Sequence, residues 1–120
     1  MLLALAALAV AALVAGVGSA SAAKTQTLRI SADAHGAMKF NTKHLSAHAG
    51  RVTIVMTNPK TSGMEHAVAI SGHGVHASGK IVGPGGSSKA TATLKRGTYT
   101  FFCPVPGHAA AGMKGTITVR

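Results

Sequence analysis

"GTYTFFCPVPGHAAAGMKGTITV", residues 97–119, is the stretch on which the reading of this chain turns. Its two ends alternate as strands do. In "GTYTFFC" the side chains of Tyr99, Phe101 and Cys103 fall on one face, and in "GTITVR", 115–120, those of Ile117 and Val119 do. A two-residue period with aromatic or β-branched side chains on the repeating face marks half-buried strands. Between them runs a loop of Pro, Gly, Ala and Val. It carries the single cysteine of the chain, then His108 and then Met113.

The same alternation extends upstream. "TQTLRIS" sets Leu28 and Ile30 on one face, "RVTIVMTNP" sets Val52, Ile54 and Met56, and "HAVAIS" aligns His66 with Val68 and Ile70. "KATATLK" alternates Ala and Thr. Turn signals separate these runs: "HAG" before Arg51, "NPKTSG" at 58–63, "SGHGVHASG" at 71–79, "GPGG" at 83–86 and "KRG" at 95–97. Sustained helical periodicity is missing after residue 23, although "NTKHLSAH" has the length for one helical turn. The pattern predicts an all-β sandwich of about seven to eight strands. His66 and Cys103 then both point inward at the same end of it, and an imidazole facing a core needs a partner.

The first 23 residues, "MLLALAALAVAALVAGVGSASAA", are set apart by composition. They are nearly all Leu, Ala and Val up to Val17, then small, and "ASA" at 20–22 fits a signal-peptidase site. The run is short for a membrane span, which takes about 20 apolar residues. We read 1–23 as an export signal peptide. Since no Lys or Arg precedes Lys24, an uncleaved anchor is the rival. Residues 24–120 form one domain, large enough for a core without staples. A lone cysteine excludes an internal disulfide, which is unusual for an exported protein. The expected location is periplasmic, extracellular or on the outer face of the cytoplasmic membrane.

All twelve Lys and Arg lie in this domain against Asp33 and Glu65, for a formal charge of +10. Such a field favours acidic partners or anionic membrane surfaces, or simply maintains solubility. A nucleic-acid partner is not expected, because Phe40, Tyr99, Phe101 and Phe102 make no base-stacking motif.

Taken singly, a cysteine is most often a small buried hydrophobe, a methionine core filling and a histidine a surface residue. Together, Cys103, His108 and Met113 give C-x4-H-x4-M. A thiolate, an imidazole and a thioether are ligand types that suit copper, and His66 completes two His and one Cys with Met as a long axial fourth. Zinc is disfavoured, since Met is a poor ligand for it and the usual Cys pairs are absent. A Cys–His nucleophile would need a polar third group to orient it, and the loop offers only Pro, Val and Ala.

The segment 97–119 resembles the C-terminal copper loop of the cupredoxins, the plastocyanin/azurin family of small blue copper proteins. "HAGRVTIVMTNP…EHAVAI" is similar to that family's Gly-led strand, Asn-bearing turn and strand-initial first His ligand. The resemblance implies a Greek-key β-sandwich with one copper ion per chain at one end. It assigns His66, Cys103 and His108 as ligands and Met113 as the axial one. Many relatives have Asn directly after the first His, helping to tie the two ligand loops together. Here that position is Ala67, so the tie must come from elsewhere or be missing.

The expected function is single-electron transfer, not enzymatic turnover. The resemblance makes the His108 edge the electron's exit, within an apolar patch of Pro104, Val105, Pro106, Ala109, Ala110 and Pro84. Partners would be redox proteins with acidic docking surfaces, such as a cytochrome or a membrane oxidase or reductase, and the protein would act as a monomer. Copper storage, delivery or resistance is the alternative use of the same ligands. "HLSAH" at 44–48 and "HGVH" at 73–76 have spacings that could clasp a second metal, although the plainer reading is surface histidines. Met38, Met56 and Met64 read as packing residues, with Met64 a candidate for the site rim.

Overall fold

A computed structural model describes residues 24–120. The signal or anchor reading of 1–23 lies outside the described residues. The alternating runs become six strands and two more join them, giving β1 (Gln26–Ser31), β2 (His44–Ala47), β3 (Gly50–Thr57), β4 (Ala69–Gly72), β5 (Val75–Ser78), β6 (Ser87–Leu94), β7 (Gly97–Phe102) and β8 (Lys114–Val119). They form a three-stranded sheet, β1-β3-β6, and a five-stranded sheet, β2-β8-β7-β4-β5. The chain passes between sheets after β1, β2, β3, β5 and β6, giving a Greek-key β-sandwich. Two pairings, β1 with β3 and β2 with β8, are parallel and the rest are antiparallel.

The inward positions are those the period marks. From the small sheet come Ile30, Val52, Ile54, Met56, Ala90 and Leu94; from the large one come Ile70, Tyr99, Phe101, Ile117 and Val119, all at most 3% exposed. Opposed faces of this kind interdigitate into one core. Tyr99 places its hydroxyl at the β6–β7 turn, where it accepts a hydrogen bond from the Lys95 N–H at 3.0 Å.

The segment with the length for a helical turn, "NTKHLSAH", is a strand instead. Leu45 and Ala47 stand in register with Ile117 and Val119 of β8 and join the same buried face. A short strand on an existing sheet edge satisfies its backbone at once, whereas one helical turn cannot. The segment 71–79 likewise contains more than a turn: only His73 and Gly74, both at positive φ (48° and 78°), form the bend, and β5 follows. This is the two-residue geometry whose twist suits a hairpin. His66 does not open β4. It lies three residues before it and makes an isolated bridge with Val82.

β1 and β3 end, β6 and β8 begin, and β7 ends, all at one end of the sandwich. The loops 32–43, 58–68, 79–86 and 103–113 therefore converge there.

Candidate metal centre

The loop 103–113 is closed on itself. The Cys103 N–H donates to the Met113 carbonyl at 3.0 Å, and the Met113 N–H donates to the His108 carbonyl at 3.1 Å. Further bonds, His108 N–H to Val105 O and Ala111 N–H to Gly107 O, coil the loop into consecutive turns. Gly107 and Gly112 take positive φ, 85° and 114°, conformations costly for a side chain with a Cβ. At Gly112 the loop meets the carbonyl of Met38 from loop 32–43.

His66 arrives from the other side and is held by its backbone. Its N–H donates to Val82 O at 3.1 Å and its carbonyl accepts from the Val82 N–H at 2.9 Å. Asn58, fully buried, fastens this arrangement. Its Nδ2 donates to Met64 O at 2.9 Å and Val82 O at 3.0 Å, and its Oδ1 accepts from Ser62 Oγ. Ser88 Oγ accepts the Val68 N–H at 3.3 Å. Asn58 ties loop 58–68 to loop 79–86, not to 103–113. It does not stand in for the Asn missing at Ala67, itself fully buried.

These supports bring three donors together. Cys103 Sγ lies 3.5 Å from His108 Nδ1 and 3.9 Å from His66 Nδ1. All three donor atoms are within 4.8 Å of one another, and among the described residues they are the one such group of three or more. The imidazoles meet edge-on, centroids 5.1 Å apart at 63°. Burial, and then the charge of His108, hold His66 below the ordinary histidine range. It is therefore neutral near pH 7, the state in which an imidazole nitrogen can bind a metal.

One ion fits this triangle. Bonds of about 2.0–2.3 Å to imidazole nitrogen and thiolate sulfur put such donors about 3.5–4 Å apart. A buried thiol flanked by two Nδ1 atoms, with no carboxylate in the cluster, suits a soft, one-electron metal. Among the described residues, His66 Nε2 is the buried side-chain nitrogen or oxygen without a hydrogen-bond partner. Met113 is fully buried where the loop closes.

The other sequence candidates fall elsewhere. His35, His44, His48, His73 and His76 are exposed, and none joins a cluster of three donors. Met56 is in the core, Met38 packs against it, and Met64 is half-buried in the loop leading to His66. Glu65 is exposed beside His66. Asn58 and Val82 were not anticipated as supports. The signal for Asn58 was its phase, two residues beyond Val52, Ile54 and Met56 on the inward face.

The sequence model of the copper binding proteins of the plastocyanin/azurin family matches residues 26–120. Among solved structures, the chain is similar to dithionite-reduced auracyanin from Roseiflexus castenholzii. That match has 26% identity and a TM-score of 0.68, over 79% of this chain and 97% of that one. Auracyanin B matches with 27% identity and a TM-score of 0.69, over 79% of this chain and 88% of that one. Auracyanin A, a "blue" copper protein from Chloroflexus aurantiacus, shares the fold at 21% identity and a TM-score of 0.67, over 81% of this chain and 100% of that one. No curated protein matches the chain.

Proposed function

The chain belongs to the plastocyanin/azurin family of copper binding proteins, and from that premise we propose that it is a type 1 copper electron carrier working between exported or membrane redox partners. The observation that carries this reading is the convergence of His66, Cys103 and His108 from two separate segments onto one point. His66 Nδ1, Cys103 Sγ and His108 Nδ1 would hold the copper, with the Met113 thioether as a weaker fourth ligand. Copper held in such a site supplies a one-electron couple between Cu(I) and Cu(II).

The chain's own residues hold that site still. His66 is fixed through both its backbone groups, the Cys103 N–H donates to the Met113 carbonyl, and all three residues are at most 1% exposed. A scaffold that cannot shift between oxidation states keeps the reorganisation small. The same burial slows metal exchange, which favours electron transfer over copper storage or delivery. His108 is half-buried, and its edge is the proposed exit for the electron. Pro104, Val105, Pro106, Ala109, Ala110 and Pro84 are the proposed apolar patch beside it, of the kind used in short redox encounters. Lys39, Lys43, Lys60 and Lys114, around the same end, would steer an acidic cytochrome or membrane oxidase. We take 1–23 as the export signal or anchor and 24–120 as the copper domain.

The test is a Cu(II) titration of the metal-free protein beside Cys103→Ser, followed in the visible range. The expected result is an intense thiolate-to-copper band in the wild type only, saturating at one copper per chain. Absence of the band, or equal copper uptake by the variant, would overturn the reading.

A further inference from the structure

A second feature lies on the side of the sandwich, where the crossing from β5 to β6 presses against β6. Gly79 makes the close approach possible. A Cβ there would strike Ser88 Oγ and come within 2.7 Å of the Lys89 carbonyl. The Gly79 N–H is pinned to Val68 O at 2.8 Å. The next residue, Lys80, is thereby set against β6, and a cleft of about 250 Å³ opens between them, lined by Lys80, Ser87 and Lys89. We propose that this cleft is an anion site, and that its occupant is a phosphate group of a linear, phosphate-bearing polymer lying across the outer face of β1-β3-β6.

Charge is the first argument. The residues that line the cleft are two lysines and a serine, with no carboxylate among them. The two acids of the chain, Asp33 and Glu65, lie in loops, and Asp33 already accepts the N–H groups of His35 and Ala37. Two lysines facing one space without a carboxylate favour an anion between them.

Donor type and size are the second. Two lysines and a hydroxyl residue are donors suited to a tetrahedral oxyanion, whereas a planar carboxylate is better met by the fork of an arginine. The volume is below the range of about 300–1,000 Å³ usual for small-molecule pockets, so the cleft takes a single group and not a whole metabolite.

The register of the sheet supplies the third. Lys89 stands opposite Val55, and Val55 opposite Arg29. Strand spacing puts Arg29 and Lys89 roughly 10 Å apart across the face. The neighbouring outward rows are hydroxyls, Thr27-Thr53-Thr91 on one side and Ser31-Thr57-Ser87 on the other. A polymer with one phosphate in the cleft would thus meet Arg29 with a later one, among hydroxyl donors. A lipid surface is the weaker fit. Val55, the one large apolar residue of this outer face, is only 8% exposed, and the exposed Ile81 lies in the crossing loop.

The test compares long-chain inorganic polyphosphate, orthophosphate and phosphatidylglycerol vesicles as ligands of the copper-loaded protein. The variants are K80Q/K89Q, S87A and a remote pair of equal charge change, K95Q/K114Q. We expect polyphosphate to bind in a salt-dependent way and K80Q/K89Q to weaken it at least about tenfold, against about twofold for the remote pair. S87A should weaken it severalfold with no change in charge, and orthophosphate should shift the amide resonances of Ser87 and Lys89. Equal losses in the two double variants would overturn the proposal in favour of diffuse charge. Vesicle binding tighter than polyphosphate binding, lost in K80Q/K89Q, would overturn the polymer as occupant. The visible copper band is read in parallel, so a failure here is distinguishable from a failure of the copper site.

Discussion

Asn58 uses its whole amide at the ligand end: both Nδ2 protons go to carbonyls and Oδ1 accepts from Ser62. Truncation to Ala would leave those buried groups short of partners and free the Val82 segment of loop 79–86 that holds His66. We expect Asn58→Ala to lose about 1–3 kcal/mol in urea unfolding of the metal-free protein, with a weaker or broadened copper band. Asp33 makes a smaller, pH-marked contribution. The N–H groups of Ala37, then His35, hold its carboxyl below the ordinary value of 3.8. Because the folded state favours the charged form, this stability is present above about pH 3.8 and is lost as pH falls through the lowered folded value. Asp33→Ala should therefore unfold more readily than wild type at neutral pH. The gap in urea midpoint should close in strong acid.

Elements show why some of the structure was legible from sequence and some was not. The strands were, since Val52, Ile54 and Met56 or Tyr99 and Phe101 repeat every second residue and land on the core. β2 was not, because "HLSA" has only two inward positions, Leu45 and Ala47, and its pairing with β8 is set by distant sequence. The donor set was visible in the spacing of the 103–113 loop and in a strand-phased His66. The clamp from Asn58 and Val82 was hidden because loop conformation carries no period. Gly115 of β8 illustrates the same dependence on tertiary context. A Cβ there would run into the Phe101 ring and lie 2.5 Å from Lys43 O. Gly115→Ala should cost about 1–3 kcal/mol through overpacking, seen as a lowered thermal midpoint.

At the scale of the whole molecule, charge dominates. Twelve cations against two acids repel one another in the folded state more than in the expanded chain. Raising sodium chloride from low ionic strength to about 0.15 M shortens the screening length to about 8 Å. We expect the thermal midpoint to rise over that range. The rate of electron exchange with an acidic partner should fall over the same range, as steering is screened. A midpoint that fell with salt would mean the cations are individually compensated.

The two parallel pairings, β1 with β3 and β2 with β8, carry a consequence in time. Parallel neighbours cannot form as hairpins, and β2 must wait for a strand some seventy residues downstream. Chains dominated by such distant pairings fold slowly. His66 and Cys103 meet only when both sheets have closed, so the complete donor set for a metal forms late. Until then the single thiol, almost fully buried afterwards, stands open to oxidants. The vulnerable moment in the life of this protein is its folding, and copper or burial, whichever comes first, ends it.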